Sequence, residues 1–179
     1  MRYNKLIASL VLILMLLALP LQALASTPSS WAVTEIEKAK SFNLVTEKVL
    51  EDYTSNITRE EFAELAVKLY ESLKGSKAAE VLDNPFKDTS NPEVLKANSL
   101  GIVGGRGNGV FAPADPVTRQ EIAVMLNRNI TAAGINATNT SPVGPFADEN
   151  KISDWAMGSV KLLNGYGIIG GVGKTKLTP

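Results

Sequence analysis

Three short motifs occur twice in this chain, in the same order and at nearly constant spacing. The copies are TREE at 58–61 and TRQE at 118–121, FKD at 86–88 and FAD at 146–148, and GIVGG at 101–105 and GIIGG at 167–171. Such an internal period predicts a repeat protein, in which single units cannot bury their apolar faces alone and neighbouring units share a core. Function is therefore expected in residues that the copies share.

Aligning the motifs predicts three units, each made of a helix, a glycine-rich or polar loop, and a second helix. The units are 26–74, 86–130 and 146–179, joined by linkers at 75–85 and 131–145. The leading helices carry matching residues, all but one apolar, at spacings of four and three, which place them on one helical face. These positions are Ala32, Ile36 and Ala39, then Ser90, Val94 and Ala97, then Ala156, Val160 and Leu163. The sequence predicts an all-α protein whose third unit is incomplete, because it contains no third TRxE motif.

The first 25 residues have the parts of a secretory signal. A basic start (Arg2, Lys5) precedes an apolar run at 6–19 and the tripeptide Ala-Leu-Ala at 23–25, an A-x-A cleavage pattern. The apolar run is shorter than the roughly 20 residues that a membrane-spanning helix needs. We expect residues 1–25 to be removed during export, which leaves a secreted protein with no membrane partner.

The chain contains no Cys and no His. Their absence excludes disulfides, thiol nucleophiles, imidazole bases and the usual zinc ligands. No catalytic residues, metal site or cofactor are therefore predicted, and the chain is not expected to be an enzyme. Removal of residues 1–25 takes Arg2 and Lys5 from the 18 basic residues and leaves all 18 acidic ones, a net charge of −2, so no nucleic-acid partner is expected either.

The TRxE motif has a structural explanation for two of its residues. Thr58 with Glu61, and Thr118 with Glu121, fit a capping box, in which the threonine hydroxyl and the glutamate carboxylate satisfy the first N–H groups of a helix. Arginine in the first turn faces the positive end of the helix dipole, so Arg59 and Arg119 need another reason. They either form an anion pocket with the helix N-terminus or pair with an acid of the neighbouring unit. The pocket interpretation predicts more than one similar site.

The ordered motifs together resemble the S-layer homology (SLH) family. The matching residues are Trp31-Ala32 and Trp155-Ala156, Phe86 and Asp88, 101–105 and 167–171, Phe111 and Pro113, and 118–121. The resemblance implies that the three units are SLH repeats forming a pseudo-threefold spindle. It also implies grooves that bind a secondary cell-wall polysaccharide, commonly one with a pyruvate ketal. Unit one departs from the pattern, because it has Asn-Leu-Val-Thr at 43–46 in place of the glycine turn.

The resemblance implies a wall-anchoring module of an exported or S-layer protein, on the surface of a Gram-positive bacterium. Arg59 and Arg119 would bind the glycan carboxylate. The backbones of Gly104, Gly105, Gly170 and Gly171 would approach the sugar, although turn geometry explains these glycines equally well. The alternative function is structural self-assembly with other S-layer subunits, without glycan binding.

Trp31 and Trp155 begin the leading helices of units one and three. Tryptophan can stack on a sugar face, but at a helix start beside small apolar residues it is more often part of the core. The counterpart in unit two is Thr89, which weakens a common ligand role. We therefore expect both tryptophans to be buried.

Overall fold

The computed structural model describes residues 27–137, 145–172 and 175–179. The predicted signal peptide at 1–25 lies outside this range. The helices are α1 (Val33–Ser41), α2 (Glu47–Glu51), α3 (Arg59–Lys74), α4 (Pro92–Ser99), α5 (Arg119–Ala132) and α6 (Asp154–Gly165), with a 3-10 turn at Glu149–Lys151. The described ranges contain isolated β-bridges but no strand, and the all-α prediction is confirmed. No helix within them is both long and apolar enough to cross a membrane.

The two TRxE helices, α3 and α5, begin in the same way. The hydroxyl of Thr58 accepts a hydrogen bond from the Glu61 N–H, and the Glu61 carboxylate accepts one from the Thr58 N–H. Thr118 and Glu121 repeat this arrangement at the start of α5. Each capping box satisfies backbone donors that the helix itself leaves unpaired, so the helix starts are fixed by local sequence.

The packing links consecutive units. Helix α3 of unit one packs on α4 of unit two, α5 of unit two packs on α6 of unit three, and α3 and α5 contact each other. Two apolar clusters result, one around α3, α4 and Phe111 and one between α5, α6 and Leu177. The chain therefore builds its core from the second helix of one unit and the leading helix of the next.

The leading helices of units two and three use the predicted face, except at Ser90, which is exposed and precedes α4. Val94, Ala97, Ala156, Val160 and Leu163 are all fully buried. In unit one, α1 contributes no buried residue within the described part of the chain. The element that covers α4 and α6 is a TRxE helix, and none of the described helices packs on α1 in this way.

The prediction that the tryptophans are buried is wrong. The exposed fraction is 80% for Trp31 and 59% for Trp155. In α6 the inward position belongs to the neighbouring Ala156, so the adjacent indole is turned out of the core by the helical period.

The Phe-x-Asp motif ties the loop of its own unit together. Both carboxylate oxygens of Asp88 accept backbone hydrogen bonds, from Phe111 N–H and Ala112 N–H, each at 2.8 Å. Asp148 does the same for the N–H groups of Leu177 and Thr178, at 2.8 and 2.9 Å. These bonds lower the pKa of Asp88, because they favour the ionised carboxylate.

Unit one keeps the turn without its first glycine, because Asn43 has a positive φ of 55° where Gly101 has 72°, and a short helix follows the turn. The short helix α2 occupies Glu47–Glu51, and Thr46 caps it by accepting from the Val49 N–H. Residues 43–46, where the sequence departs from the other units, lead into this helix. The simple helix–loop–helix description therefore fits unit two better than unit one.

Candidate functional site

Arg59 is the most deeply placed charged residue at the contact between units one and two. Its side chain is 4% exposed. Nε donates to the Phe111 carbonyl at 3.0 Å, one terminal nitrogen donates to the Gly104 carbonyl at 2.9 Å, and the other lies 3.2 Å from a Glu121 carboxylate oxygen. The guanidinium carbon also lies 4.8 Å from the centre of the Phe111 ring, which adds a cation–π contact. Every guanidinium nitrogen of Arg59 thus has a partner in unit two.

The N-terminus of α3 is also occupied by unit two. The Arg59 N–H donates to the Asp115 carbonyl at 2.8 Å, and the Glu60 N–H donates to the Pro113 carbonyl at 3.1 Å. Because the capping box takes the next N–H, this helix start has no donors left for an anion. The backbone N–H groups at the start of α3 therefore give no support to the hypothesis of an anion pocket there.

Glu121 is shared by two arginines. Its carboxylate oxygen Oε1 lies 3.2 Å from Arg59 and 2.8 Å from Arg106, while Oε2 accepts the Thr118 N–H. Burial opposes ionisation, but the hydrogen bonds from Thr118 and the nearby charges of Arg106 and Arg59 lower the pKa of Glu121. The carboxylate is therefore charged at neutral pH and binds both guanidinium groups.

Arg119 holds the equivalent position one unit later but is less enclosed. One terminal nitrogen donates to the Gly170 carbonyl at 2.7 Å, which mirrors the bond from Arg59 to Gly104. Nε of Arg119 is buried without a partner in the described part of the chain, and the residue as a whole is half-buried. Among the described residues the arginine side chain therefore makes one hydrogen bond here, whereas that of Arg59 makes three.

The two glycines after Val103 differ in their surroundings. A Cβ at Gly105 would lie 2.8 Å from the Val110 carbonyl oxygen and 3.0 Å from the Phe86 ring, whereas a Cβ at Gly104 would meet nothing within 4 Å. Close packing therefore requires glycine at 105. At 104 the open space leaves the backbone accessible, and neither residue's N–H has a partner among the described residues.

A groove of about 240 Å³ opens beside these glycines. Three units line it: Arg59 from unit one, Gly104 to Arg106 with Glu121 and Arg128 from unit two, and Trp155 from unit three. Its floor is apolar, made of Val103, Val124 and Met125. Three arginines against one glutamate give the lining a net positive charge, although the whole chain has a net charge of zero.

The structure brings together some of the predicted site residues and separates others. Arg59, Gly104 and Gly105 line one groove, whereas Arg119 and Gly170 lie at the next contact between units. Sequence reasoning missed Arg106 and Arg128. Arg106 directly follows the glycine turn, which is the one local signal that points to it. The described residues contain no cluster of acidic side chains suited to a metal ion.

This combination suits an acidic sugar. The exposed indole of Trp155 offers an apolar face for stacking, the arginines offer charge, and the glycine turn offers backbone donors. The groove holds a carboxylate, but Glu121 is fixed by two arginines and by the capping box. No second carboxylate lines the groove to act as an acid–base pair with it. The geometry therefore favours binding over catalysis.

Comparison with known proteins agrees with this description. Residues 85–123 and 145–179 each match the family model described as S-layer homology domain. The chain is 30% identical to an endoglucanase of Bacillus sp. (strain KSM-635) over 106 residues, which is 55% of this chain and 11% of that protein. It is 30% identical to cell surface glycoprotein 1 of Acetivibrio thermocellus over 159 residues, 80% of this chain and 6% of that protein.

A further relative is an amylopullulanase of Thermoanaerobacterium thermosulfurigenes. It is 36% identical over 77 residues, 40% of this chain and 4% of the relative. The chain thus spans only about a tenth or less of the length of these proteins. The similarity concerns one shared segment rather than whole proteins.

Proposed function

Because the chain belongs to the S-layer homology domain family, we propose that it anchors an exported protein to the cell wall by binding an acidic secondary cell-wall polysaccharide. S-layer homology domains are non-catalytic modules of cell-surface proteins and bind cell-wall polymers. The proposal goes further in naming the ligand as a polysaccharide that carries a carboxylate, such as a pyruvate ketal.

The observation that carries this proposal is the groove with an exposed Trp155 beside an excess of arginine. Stacking on a sugar ring and binding of a carboxylate need these two groups close together. Charge alone would favour any polyanion, and an aromatic face alone would favour any sugar. Their combination favours a saccharide with an acidic substituent.

Arg59 and Arg119 have different roles in this proposal. Arg59 has a structural role and holds the residues of the groove in place, because its guanidinium is buried and all its nitrogens are already bonded to unit two. Arg119 contacts the ligand directly at the following contact between units, where Gly170 also lies and where the guanidinium is only half-buried. Thr58, Thr118 and the glutamates of the capping boxes support both arginines by fixing the helix starts.

Co-sedimentation with purified cell-wall sacculi tests the proposal. Sacculi are compared before and after chemical removal of the secondary polysaccharide. Trp155→Ala should weaken sedimentation, since the indole lines the groove. The matched control is Trp31→Ala, which removes the equivalent and even more exposed tryptophan of unit one outside the groove. Equal binding to stripped and intact sacculi would contradict the proposal.

Self-assembly is a second candidate function, and one observation favours it. An apolar cavity of about 450 Å³ lies at the ends of α3 and α5, lined in part by Leu73, Tyr166 and Ile168. These three side chains are each more than 40% exposed, and apolar patches of this kind often mark contacts between proteins. Light scattering across a concentration series separates the candidates, because assembly without polysaccharide favours the second.

The activity of the whole protein belongs to this proposal as well. Two of the relatives have names of polysaccharide-degrading enzymes and the third is named as a cell surface glycoprotein. An anchoring module serves either kind of protein equally, because binding to the wall is independent of the cargo. We propose anchoring as the role of this chain and assign it no cargo.

A further inference from the structure

The three arginines of the groove differ in what their guanidinium groups already bind. Arg59 and Arg106 both contact Glu121. Arg128 is exposed, and its side chain has no hydrogen-bond or ion-pair partner among the described residues. An approaching anion would compete with Glu121 for the first two arginines but would meet no competitor at Arg128.

The position of Arg128 relative to unit three is set by neighbouring bonds between α5 and α6. The side-chain amide of Asn127 donates to the Ser159 hydroxyl at 3.1 Å, and the Ser153 N–H donates to the Gln120 side-chain oxygen at 2.9 Å. The two bonds join α5 and α6 at two levels. The backbone that carries Arg128 is therefore held beside the helix that carries the groove tryptophan, which reduces the ordering cost of binding.

The contact between units one and two offers a comparison, because different residues occupy the positions that correspond to Arg128 and Trp155. Lys68 lies ten residues after the capping threonine, as Arg128 does in unit two. Lys68 donates to the Asn43 side-chain oxygen at 3.3 Å, and Thr89, the counterpart of Trp155, donates to a glutamate of α3 at 2.9 Å. At the contact between units one and two both positions are thus bonded within the protein, whereas at the contact between units two and three both side chains line the groove.

Resting on the proposed function, we propose that Arg128 is the residue that binds the carboxylate of the saccharide in the groove that Trp155 lines. Arg59 and Arg106 remain bound to Glu121 and shape the groove. The ligand carboxylate and the guanidinium of Arg128 form a charge-assisted pair, and the sugar ring lies against the exposed indole of Trp155. Carboxylate selectivity in this groove therefore depends on one arginine outside the TRxE motif.

The test uses a matched pair of ligands and isothermal titration calorimetry. One ligand is an N-acetylhexosamine disaccharide with a pyruvate ketal, and the other is the same compound with the ketal carboxylate converted to a primary amide. The wild type should bind the carboxylate form more tightly. Arg128→Gln should lose about tenfold or more on the carboxylate form and little on the amide. Lys68→Gln is the control and should retain the preference.

Each outcome decides a different point. A preference for the carboxylate that survives in Arg128→Gln, or a wild type that binds both ligands equally, overturns the role of Arg128 and leaves anchoring intact. A wild type that binds neither ligand nor intact sacculi overturns the proposed function and this inference together. Arg128 has no partner in the described chain, so the variant should fold normally, and far-UV circular dichroism checks this.

Discussion

Replacing Arg59 with alanine should destabilise the protein far more than replacing Arg119, although both occupy the same position of the same motif. Arg59→Ala leaves the buried Phe111 carbonyl unpaired and removes one cation from the buried Glu121. An unpaired buried carbonyl costs about 1–3 kcal/mol and a lost charged hydrogen bond about 1.5–3 kcal/mol. Glu121 keeps Arg106, and water can reach Gly104, so we expect a total of about 3–5 kcal/mol.

Arg119→Ala provides the matched comparison. It removes one hydrogen bond, to the Gly170 carbonyl, from a half-buried site. The expected loss is about 0.5–1.5 kcal/mol, and binding to the polysaccharide should weaken while helix content stays nearly unchanged, since Thr118 and Glu121 keep the capping box.

Urea denaturation followed by circular dichroism measures both variants. With a slope of about 2 kcal/mol per molar urea, Arg59→Ala should lower the midpoint by about 2 M and Arg119→Ala by less than about 1 M. Equal losses in the two variants would refute the reasoning, because the argument depends on the different burial of the two guanidinium groups. Unfolding of Arg119→Ala would instead assign that arginine a structural role.

Other substitutions test single contacts. Gly105→Ala should destabilise the protein by about 1–3 kcal/mol in urea denaturation, since the new Cβ would lie 2.8 Å from a backbone oxygen. The Cβ of Gly104→Ala would have no atom within 4 Å, so this variant should keep its stability and should sediment less with sacculi. Equal stability losses in the two variants would contradict this expectation. Thr118→Ala should cost about 0.5–2 kcal/mol as a lost N-cap, and an unchanged urea midpoint would contradict it. The pKa of Asp88 is lowered from 3.8 by backbone hydrogen bonds, so its stabilisation is present above about pH 4 and is lost as the pH falls through the folded pKa. Asp88→Asn should therefore be less stable than wild type at pH 7, and the gap in urea midpoints should close as the pH falls through the folded pKa, which lies below 3.8. A constant gap would argue against this linkage.

The sequence determined the features whose partners are close along the chain. The capping boxes at Thr58 and Thr118 each need a glutamate three residues later. The buried face of the leading helices can be predicted from the spacing of their apolar residues alone. The repeat itself also follows from sequence, and with it the family. These features are local or periodic, so no knowledge of the packed units is needed to find them.

The tertiary structure decided which copies of a motif are buried and which are exposed. Arg59 is buried because its partners Phe111, Glu121 and Gly104 lie 52, 62 and 45 residues away. Trp155 is exposed because α6 turns its neighbour Ala156 toward α5. The groove gathers residues from three units. The helical period can place residues on one face of a helix, but only the packing of helices distant in sequence decides what that face meets.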